Sequence, residues 1–214
     1  MKEAVKIRNL SKSYGSKSIF EQFNLNLDEG DMVAITGPSG AGKSTLLNIL
    51  GILEPFDSGT IHIFGEELPK VNSRKANEFL RNKISYLFQN FALVDDWTVK
   101  QNLEIVLNHQ KLNKEEKNLK IEEALKIVGL EGYENNKIYT LSGGEQQRVS
   151  IARILLKPGK LILADEPTGS LDHQNKELVI KLLKQINSLG KTILIVTHDH
   201  EVAESCSKNI QINS

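Results

Sequence analysis

One stretch of eight residues, Gly37–Ser44, constrains the fold of this chain more than any other. Its sequence, GPSGAGKS, fits the spacing G-x-x-x-x-G-K-[ST]. The apolar run before it, Met32–Thr36, predicts a buried strand, and Thr45–Leu50 after it predicts a helix. Strand, glycine-rich turn and helix in this order are typical of a phosphate-binding P-loop. An ordinary glycine-rich turn is the weaker alternative.

The residue types of this loop explain how it would hold a nucleotide. Glycines let successive backbone N–H groups point at phosphate oxygens, and the helix N-terminus adds partial positive charge. We predict that Lys43 reaches the β- and γ-phosphates and that Ser44 is a ligand of Mg²⁺, which prefers hard oxygen atoms. The predicted ATP-binding residues here are Gly37, Pro38, Ser39, Gly40, Ala41, Gly42, Lys43, Ser44 and Thr45.

A second apolar run, Leu161–Ala164, ends in two acidic residues, which is the Walker B pattern. Asp165 would lie at the carboxyl end of a strand beside the P-loop and orient Mg²⁺, directly or through water. Glu166 would then polarise the attacking water as a general base. Two surface acids at the start of a turn before Pro167 are the alternative, which the P-loop weakens.

The stretch Leu141–Arg148, LSGGEQQR, has the features of a capped helix start and also contains two adjacent glycines. Ser142 and Glu145 have the spacing of a capping box. A helix that needs only a cap has no use for two adjacent glycines, which each cost about 0.5–1 kcal/mol relative to alanine. We expect Gly143 and Gly144 to leave their N–H groups uncovered, as a second anion site at a helix N-terminus.

The order of apolar patterns predicts an α/β fold in one domain, 1–214. We expect a P-loop NTPase core with a mostly parallel sheet flanked by helices, and an N-terminal antiparallel β subdomain. The core and the β subdomain would comprise 1–89 and 158–214. The mostly helical stretch 90–157 predicts an inserted α-helical subdomain.

Several local patterns refine this prediction. Ala4–Leu10 alternates like a strand, and Ser11–Ser16 is typical of a turn. Thr192–Thr197 is continuously apolar, as expected of a parallel strand covered on both faces. Leu171–Leu189 has the periodicity of an amphipathic helix, and Asn209–Ile212 predicts an edge strand.

Composition limits the possible classes of partner. Lysine plus arginine and aspartate plus glutamate number 27 each, so the formal net charge is zero. Nucleic-acid-binding proteins usually carry a basic surplus, so we expect no nucleic-acid partner. The single cysteine, Cys206, fits a reducing cytosol. We expect neither a signal peptide nor a membrane span, which needs roughly 18–20 apolar residues, so a membrane role would require a partner.

Together the motifs Gly37–Ser44, Leu141–Arg148 and Leu161–Glu166, in this order, resemble the nucleotide-binding domain of ATP-binding cassette (ABC) proteins. The resemblance covers nearly the whole chain. The LSGGE stretch makes it specific, because other P-loop ATPases lack this signature motif. The resemblance implies an ATP hydrolase that uses ATP and Mg²⁺.

Roles for further residues follow from the resemblance alone. Tyr14 lies where the family has an aromatic residue that stacks on adenine, and Ser170–Asp172 matches the D-loop. Gln89 matches the Q-loop glutamine, which contacts Mg²⁺ and senses the γ-phosphate, and His198 matches the switch histidine, which contacts that phosphate. The expected catalytic residues are Glu166, His198, Gln89 and Lys43, and the expected metal ligands are Ser44, Gln89 and Asp165.

The resemblance also implies that two copies act together. In the family, the signature motif of one subunit closes over the ATP held by the other, in a head-to-tail dimer with a twofold axis. ATP stabilises the closed dimer, and hydrolysis removes that stabilisation. We therefore expect a homodimer with ATP and monomers without it. The residues expected to reach the partner's ATP are Ser142, Gly143, Gly144, Glu145 and Asp172.

Within the family, the sequence favours a transport role. The 99 positions between Lys43 and Ser142 cannot hold the long coiled-coil insertion of the chromosome-maintenance and DNA-repair branches. Gly37–Gly51 and Asp165–Asp172 resemble the bacterial macrolide-export and lipoprotein-release group, and Phe88–Val99 resembles bacteriocin-export ATPases. This implies a cytoplasmic ATPase on the inner face of the membrane, which powers a separate integral membrane permease that exports or extrudes a peptide, lipid-linked or hydrophobic substrate.

A second function stays open, a regulatory module that signals through a membrane partner without moving cargo, as in cell-division or peptide-sensing ABC complexes. Both functions share every motif above. Asp95–Trp97 departs from the leucine-threonine-valine of the export group, at the place where a permease docks, and leaves the partner's identity open. Trp97 is either a core residue or an anchor of that interface, since tryptophan is enriched at binding hot spots.

Overall fold

Two sheets, one antiparallel and one parallel, carry the fold in this computed structural model, which describes residues 2–212. The strands are β1 (Glu3–Tyr14), β2 (Lys17–Asp28), β3 (Met32–Thr36), β4 (Ser58–Ile63), β5 (Glu66–Glu67), β6 (Ile84–Leu87), β7 (Leu161–Asp165), β8 (Thr192–Val196) and β9 (Lys208–Gln211). The α-helices are α1 (Lys43–Leu50), α2 (Arg74–Asn82), α3 (Val99–Leu107), α4 (Lys114–Ile127), α5 (Gly143–Leu156), α6 (His173–Ser188) and α7 (His200–Glu204).

The antiparallel sheet has the order β2-β1-β4-β5 and is built on a long hairpin of β1 and β2. The predicted turn over Ser11–Ser16 is confirmed only at Gly15 and Ser16, because β1 continues to Tyr14, which pairs with Lys17. The polar residues before Gly15 suggest a turn, but they form a strand because pairing with β2 satisfies their backbone groups regardless of side-chain polarity. Lys12 is nevertheless buried, and its ammonium is paired with Glu54 at 2.9 Å.

The parallel sheet has the order β6-β7-β8-β3-β9, and all four strand pairs are parallel. The predicted edge strand at Asn209–Ile212 is observed as β9. Parallel strands bring their carboxyl ends to one edge of the sheet. At this edge β3 leads into the P-loop, β7 ends at Asp165, and β8 is followed by Thr197 and His198.

Both faces of this sheet are covered, as the continuously apolar strands predict. On β7, Leu161 and Leu163 pack into a core with the antiparallel sheet, α1 and α2. Their neighbours Ile162 and Ala164 face the opposite core, which includes side chains from α3 to α6. Alternate residues therefore serve different cores, which fixes the register of the strand.

The stretch between β6 and β7 carries α3, α4 and α5, as the helical pattern predicts. The buried side chain of Asn102 on α3 accepts a hydrogen bond from the Val94 N–H at 2.8 Å and so anchors the segment before the helix. Trp97 in that segment is 40% exposed, which contradicts its alternative assignment as a core residue. In residues 2–212, each helix is too short or too polar to cross a bilayer.

Candidate active site

The carboxyl ends of β3, β7 and β8 surround a cavity of about 470 Å³. Predicted site residues supply most of its lining, namely Gly37, Ser39, Gly40, Gly42, Lys43, Ser44, Thr45, Glu166 and His198. A larger cavity of about 650 Å³ lies beside Lys6 and His62, on the antiparallel sheet, and is lined by none of the predicted site residues. The smaller cavity is therefore the candidate site.

Tight packing explains two glycines of the P-loop. Gly37 has φ 148°, and a Cβ there would lie 2.2 Å from the Ile212 carbonyl oxygen. Gly42 has φ 90° and caps α1, and a Cβ there would lie 2.5 Å from Cγ2 of Ile19. A side chain at either position would combine steric overlap with an unfavourable backbone conformation. The hairpin that carries Ile19 thus fixes the loop from the side.

Contacts inside the site position the ammonium of Lys43 and the hydroxyl of Ser44. The Lys43 ammonium donates to the carbonyls of Gly37 and Pro38, both at 2.9 Å, so its charge lies over the loop. The Ser44 hydroxyl lies 3.5 Å from Oδ1 of Asp165. The two elements predicted to share a metal ion therefore meet in the folded chain.

Asp165 has the chemistry of a cation ligand. Burial raises the pKa of its carboxyl, Glu166 raises it further, and Ser44 and Lys43 oppose the rise. A divalent cation would stabilise the ionised form against both effects. The hydroxyl of Ser44 and the carboxylate of Asp165 are hard oxygen donors, so these residues fit Mg²⁺.

Glu166 is held by the segment that follows β8. Its Oε1 lies 2.7 Å from Nδ1 of His198 and accepts a bond from the His198 N–H at 3.1 Å. Its Oε2 accepts a bond from the Thr197 hydroxyl at 3.2 Å. Glu166 also has φ 44°, a costly conformation for a residue other than glycine, and such strain is common at functional sites. These contacts orient a carboxylate that can take a proton from water.

Tyr14 and Gln89 lie near this site without lining its cavity. The Tyr14 hydroxyl donates to Glu54, which raises the pKa of that hydroxyl, and the Lys12 ammonium lies 4.7 Å from the ring centroid. Tyr14 is 48% exposed. Gln89 is exposed in the turn after β6, at the sheet edge that also carries Asp165. Their roles toward adenine and Mg²⁺ stay predictions.

Sequence reasoning missed three residues of the cavity, Lys17, Ile19 and Val196. The Lys17 Nζ lies 3.9 Å from the position of a Cβ at Gly40, so its charge lies over the P-loop. Within residues 2–212, no carboxylate forms an ion pair with Lys17. Lys17 and Ile19 are on β2, and no local pattern places this strand beside the loop.

At the start of α5 the predicted capping box is confirmed. The Ser142 hydroxyl accepts from the Glu145 N–H at 3.3 Å, and Oε2 of Glu145 accepts from the Ser142 N–H at 2.8 Å. The Tyr133 hydroxyl donates to the other carboxylate oxygen at 3.1 Å. The backbone bond from Ser142 lowers the pKa of Glu145, which is opposed by burial. Glu145 is thus a negative charge at a helix N-terminus, where it is stabilising.

The two glycines of this helix start have different surroundings. Gly143 is exposed, with only the Phe91 ring 4.0 Å from the position of its missing Cβ. Gly144 is buried, and a Cβ there would lie 2.3 Å from Oδ1 of Asn175. Close packing against α6 is therefore a reason for glycine at position 144 that the sequence did not indicate. The anion site formed by the two N–H groups stays a prediction.

Further along, α5 contacts two loops of the site. The Gln147 amide donates to the Pro167 carbonyl at 2.5 Å, next to Glu166 in the chain. Both Nη atoms of Arg153 donate to the segment after Gln89, at 2.8 Å to the Phe91 carbonyl and 2.6 Å to the Ala92 carbonyl. The helix that begins with the signature motif is therefore bonded to the segments after Glu166 and Gln89.

Comparison with known proteins agrees with this geometry. A profile of the family described as "ABC transporter" matches residues 20–169, from β2 through the P-loop, the signature motif and Asp165 to Gly169. The chain belongs to the ABC transporter family. Its strand order and the elements around the P-loop are thus those of an ABC cassette.

Curated relatives of this cassette carry names that refer to export. It is 40% identical over 212 residues to the "Macrolide export ATP-binding/permease protein MacB" of Mannheimia succiniciproducens, covering 97% of the chain and 33% of the relative. The protein of the same name from Escherichia coli strain K12 is 37% identical over 216 residues, 99% of the chain and 33% of the relative. The chain spans about a third of the length of these relatives.

Solved structures match over nearly the full cassette. The dimeric structure of MJ0796, a bacterial ABC transporter cassette, has a TM-score of 0.88 and 38% identity, covering 98% of this chain and 94% of that one. A post-hydrolysis state of MJ0796 bound to ADP and Pi has the same score and identity, with coverage of 97% and 94%. This cassette is accordingly an ATP hydrolase with the P-loop NTPase fold.

Proposed function

We propose that this cassette dimerises on ATP and powers an integral membrane permease, which exports or extrudes a peptide, lipid-linked or hydrophobic substrate. One observation carries the proposal: the signature motif does not line the cavity formed by the P-loop of its own chain. The exposed Ser142 and Gly143 at the start of α5 are instead free to face a second copy. The dimer of MJ0796 and the export names of the MacB relatives support this function.

Within one chain, the roles below are supported by the contacts of the residues, except that of Gln89, which rests on the resemblance. The P-loop N–H groups and Lys43 would bind the phosphates. Ser44 and Asp165 would hold Mg²⁺, with Gln89 as a further ligand, and the ion would supply charge stabilisation to the phosphate oxygens. Glu166 would take the proton of the attacking water, held in position by Thr197 and His198.

The division of the chain is part of the proposal. We assign 90–157 as the helical subdomain, and 1–89 with 158–214 as the core and β subdomain. The permease would contact the helical side, which carries the exposed Trp97. In this arrangement the cassette lies in the cytoplasm, on the inner face of the membrane.

The test of the proposal is Glu166→Gln. The amide keeps the size of the side chain and cannot accept the proton, so we expect hydrolysis to fall by about 10²–10⁴-fold. ATP binding stays, so the variant should accumulate as an ATP-bound dimer. Phosphate release and light scattering after gel filtration measure the two effects.

A matched control is Glu177→Gln, because Glu177 is an exposed acid on α6, away from the cavity. It should hydrolyse ATP like the unmodified cassette and form no lasting dimer. A Glu166→Gln variant that hydrolyses ATP at the normal rate would contradict the role of Glu166. One that is slow but stays monomeric with ATP would contradict the dimer.

A further inference from the structure

Asn175, in the first turn of α6, holds the aspartate that precedes this helix. Asp172 is the N-cap, and its Oδ1 accepts a bond from the Asn175 N–H at 2.9 Å. The Asn175 side-chain amide donates to the other carboxylate oxygen, Oδ2, at 2.8 Å. Both oxygens of Asp172 are therefore fixed by one residue, and the backbone bond lowers the pKa of this carboxyl.

The same side chain contacts the helix that begins with the signature motif. Its Oδ1 accepts a bond from Nη1 of Arg148 at 2.8 Å. The amide also covers Gly144, where a Cβ would lie 2.3 Å from Oδ1 of Asn175. The Arg148 Nε is buried without a hydrogen-bond partner in residues 2–212, so Asn175 supplies an important contact to this guanidinium.

One half-buried amide thus joins two elements that are separate in sequence. Its oxygen is committed to α5, and its nitrogen is committed to Asp172. This division requires an amide, since a carboxylate would face the carboxylate of Asp172 and an aliphatic side chain would bond to neither. Gly144 allows the amide to approach α5 closely enough for both bonds.

We propose that Asn175 is a positioning residue for the half-site that each chain presents to the ATP of its partner. It holds the start of α5 and Asp172 in one fixed relation, so that both reach the partner's nucleotide together. The inference rests on the proposed function, in which Ser142, Gly143 and Asp172 act on the other chain. Asn175 itself does not line the cavity of its own chain.

Two substitutions separate this role from a general loss of stability. Asn175→Ala removes both side-chain bonds. Asn175→Asp keeps the shape and the bond to Arg148, but places a second carboxylate against Asp172. For both variants we expect the ATP affinity of the monomer to stay unchanged and kcat to fall about tenfold. A changed affinity with unchanged kcat would overturn the proposal.

Mixed dimers provide the decisive experiment. A Lys43→Ala chain has a defective P-loop but an intact half-site. An Asn175→Ala chain has an intact P-loop but a defective half-site. Each alone should hydrolyse ATP slowly. Mixed one to one, they should regain roughly a quarter of the unmodified rate, because half of the dimers then contain one complete site. No recovery, with both chains folded by circular dichroism, would show that Asn175 does not act on the partner's site.

A control mixture distinguishes this failure from failure of the proposed function. Gly143→Arg blocks the exposed start of α5 directly, and its mixture with Lys43→Ala should recover in the same way. Recovery in the control mixture alone would overturn the role of Asn175 and leave the two-chain site intact. Recovery in neither mixture would contradict the two-chain site, and the role of Asn175 would fall with it. If Asn175→Ala does not fold, Asn175→Asp takes its place in the mixture.

Discussion

At the scale of single residues, two adjacent acids in the site have different surroundings and therefore different chemistry. Asp165 is the last residue of β7, where burial and Glu166 raise the pKa of its carboxyl. Glu166 turns away with positive φ and meets His198 and Thr197. The first environment favours a cation, and the second orients a proton acceptor. From these environments we predict that Asp165 is the metal ligand and Glu166 the base.

Lys17 adds a second ammonium to the phosphate side of the cavity, and we expect it to strengthen ATP binding. An exposed ion pair contributes about 0.5–1 kcal/mol, so Lys17→Met should weaken ATP affinity by about two- to fivefold. The effect should shrink at high salt, because exposed charges are screened. Isothermal titration calorimetry at low and at high salt measures the ATP affinity and its salt dependence. Lys70→Met, an exposed lysine outside this cavity, is the control, and equal affinities for the two variants would remove Lys17 from the site.

At the scale of elements, α5 connects the parts of the site. Its first turn carries the signature motif, and its second and third turns hold the segments after Glu166 and Gln89. Phe91 and Ala92 in the latter segment both have positive φ, and Arg153 and Ser150 bond to the Phe91 carbonyl. Backbone in such costly conformations persists only where its surroundings hold it, and here α5 supplies those contacts.

The C-terminal end of α5 has a half-buried lysine, Lys157, that makes stability depend on pH. The Lys157 ammonium donates to the carbonyls of Leu80 and Ile84, and burial, with Arg153 and Lys191 nearby, lowers its pKa to about 8. Between about pH 8 and the ordinary value of 10.5, the unfolded chain binds more protons at this lysine than the folded chain does. The contribution of Lys157 to the free energy of unfolding should therefore rise with pH in this window.

Lys157→Met removes this dependence while keeping an apolar side chain of similar length. Urea unfolding at about pH 8, 9 and 10 should show a smaller increase of stability with pH than in the unmodified cassette. Lys191, whose pKa burial also lowers, retains part of the slope. The exposed Lys160→Met is the control, and a Lys157→Met slope equal to that of the control would contradict the assignment.

At the scale of the whole molecule, the helical side carries an apolar surface that the other residues of 2–212 leave uncovered. Trp97, Tyr139 and Val94 are all exposed. The backbone brings them together, because the N–H groups of Ile138 and Tyr139 donate to the carbonyls of Trp97 and Asp95. The cavity opens at the carboxyl edge of the parallel sheet, whereas this apolar surface belongs to the segments on either side of α3 and α4. The nucleotide and the permease would therefore bind to different surfaces.

We expect Trp97→Ala to lose the membrane partner while keeping ATP binding, because an aromatic anchor contributes much of an interface's energy. Co-purification of the tagged cassette from gently solubilised membranes tests this. Leu189→Ala is the matched control, since Leu189 is 67% exposed at the end of α6. Equal recovery of partner with both variants would exclude Trp97 as an anchor.

The same co-purification separates the two functions, by the kind of membrane protein that is recovered. A permease would support export, and a cell-division or sensor protein would support the regulatory module. Recovery of no membrane protein, with clean controls, would contradict the membrane role and leave the ATPase.

By itself the sequence determined the parts of the site whose geometry is local. The P-loop, the acidic end of β7 and the capping box of α5 each lie within about eight consecutive residues. Their chemistry depends on spacing along a turn or a helix, so residue types in order suffice to predict it. The resemblance added His198 and Gln89, which no local pattern distinguishes from ordinary surface residues.

Only the tertiary structure decided which separate segments meet. Lys17 reaches the P-loop because a hairpin folds against it, and Asn175 reaches Gly144 because α6 packs on α5. The turn predicted over Ser11–Ser16 is limited to Gly15 and Ser16 for the same reason, since pairing with β2 overrode the local polarity of the residues before it. Contacts of this kind come from packing between elements distant in the chain, which residue order along a single element does not encode.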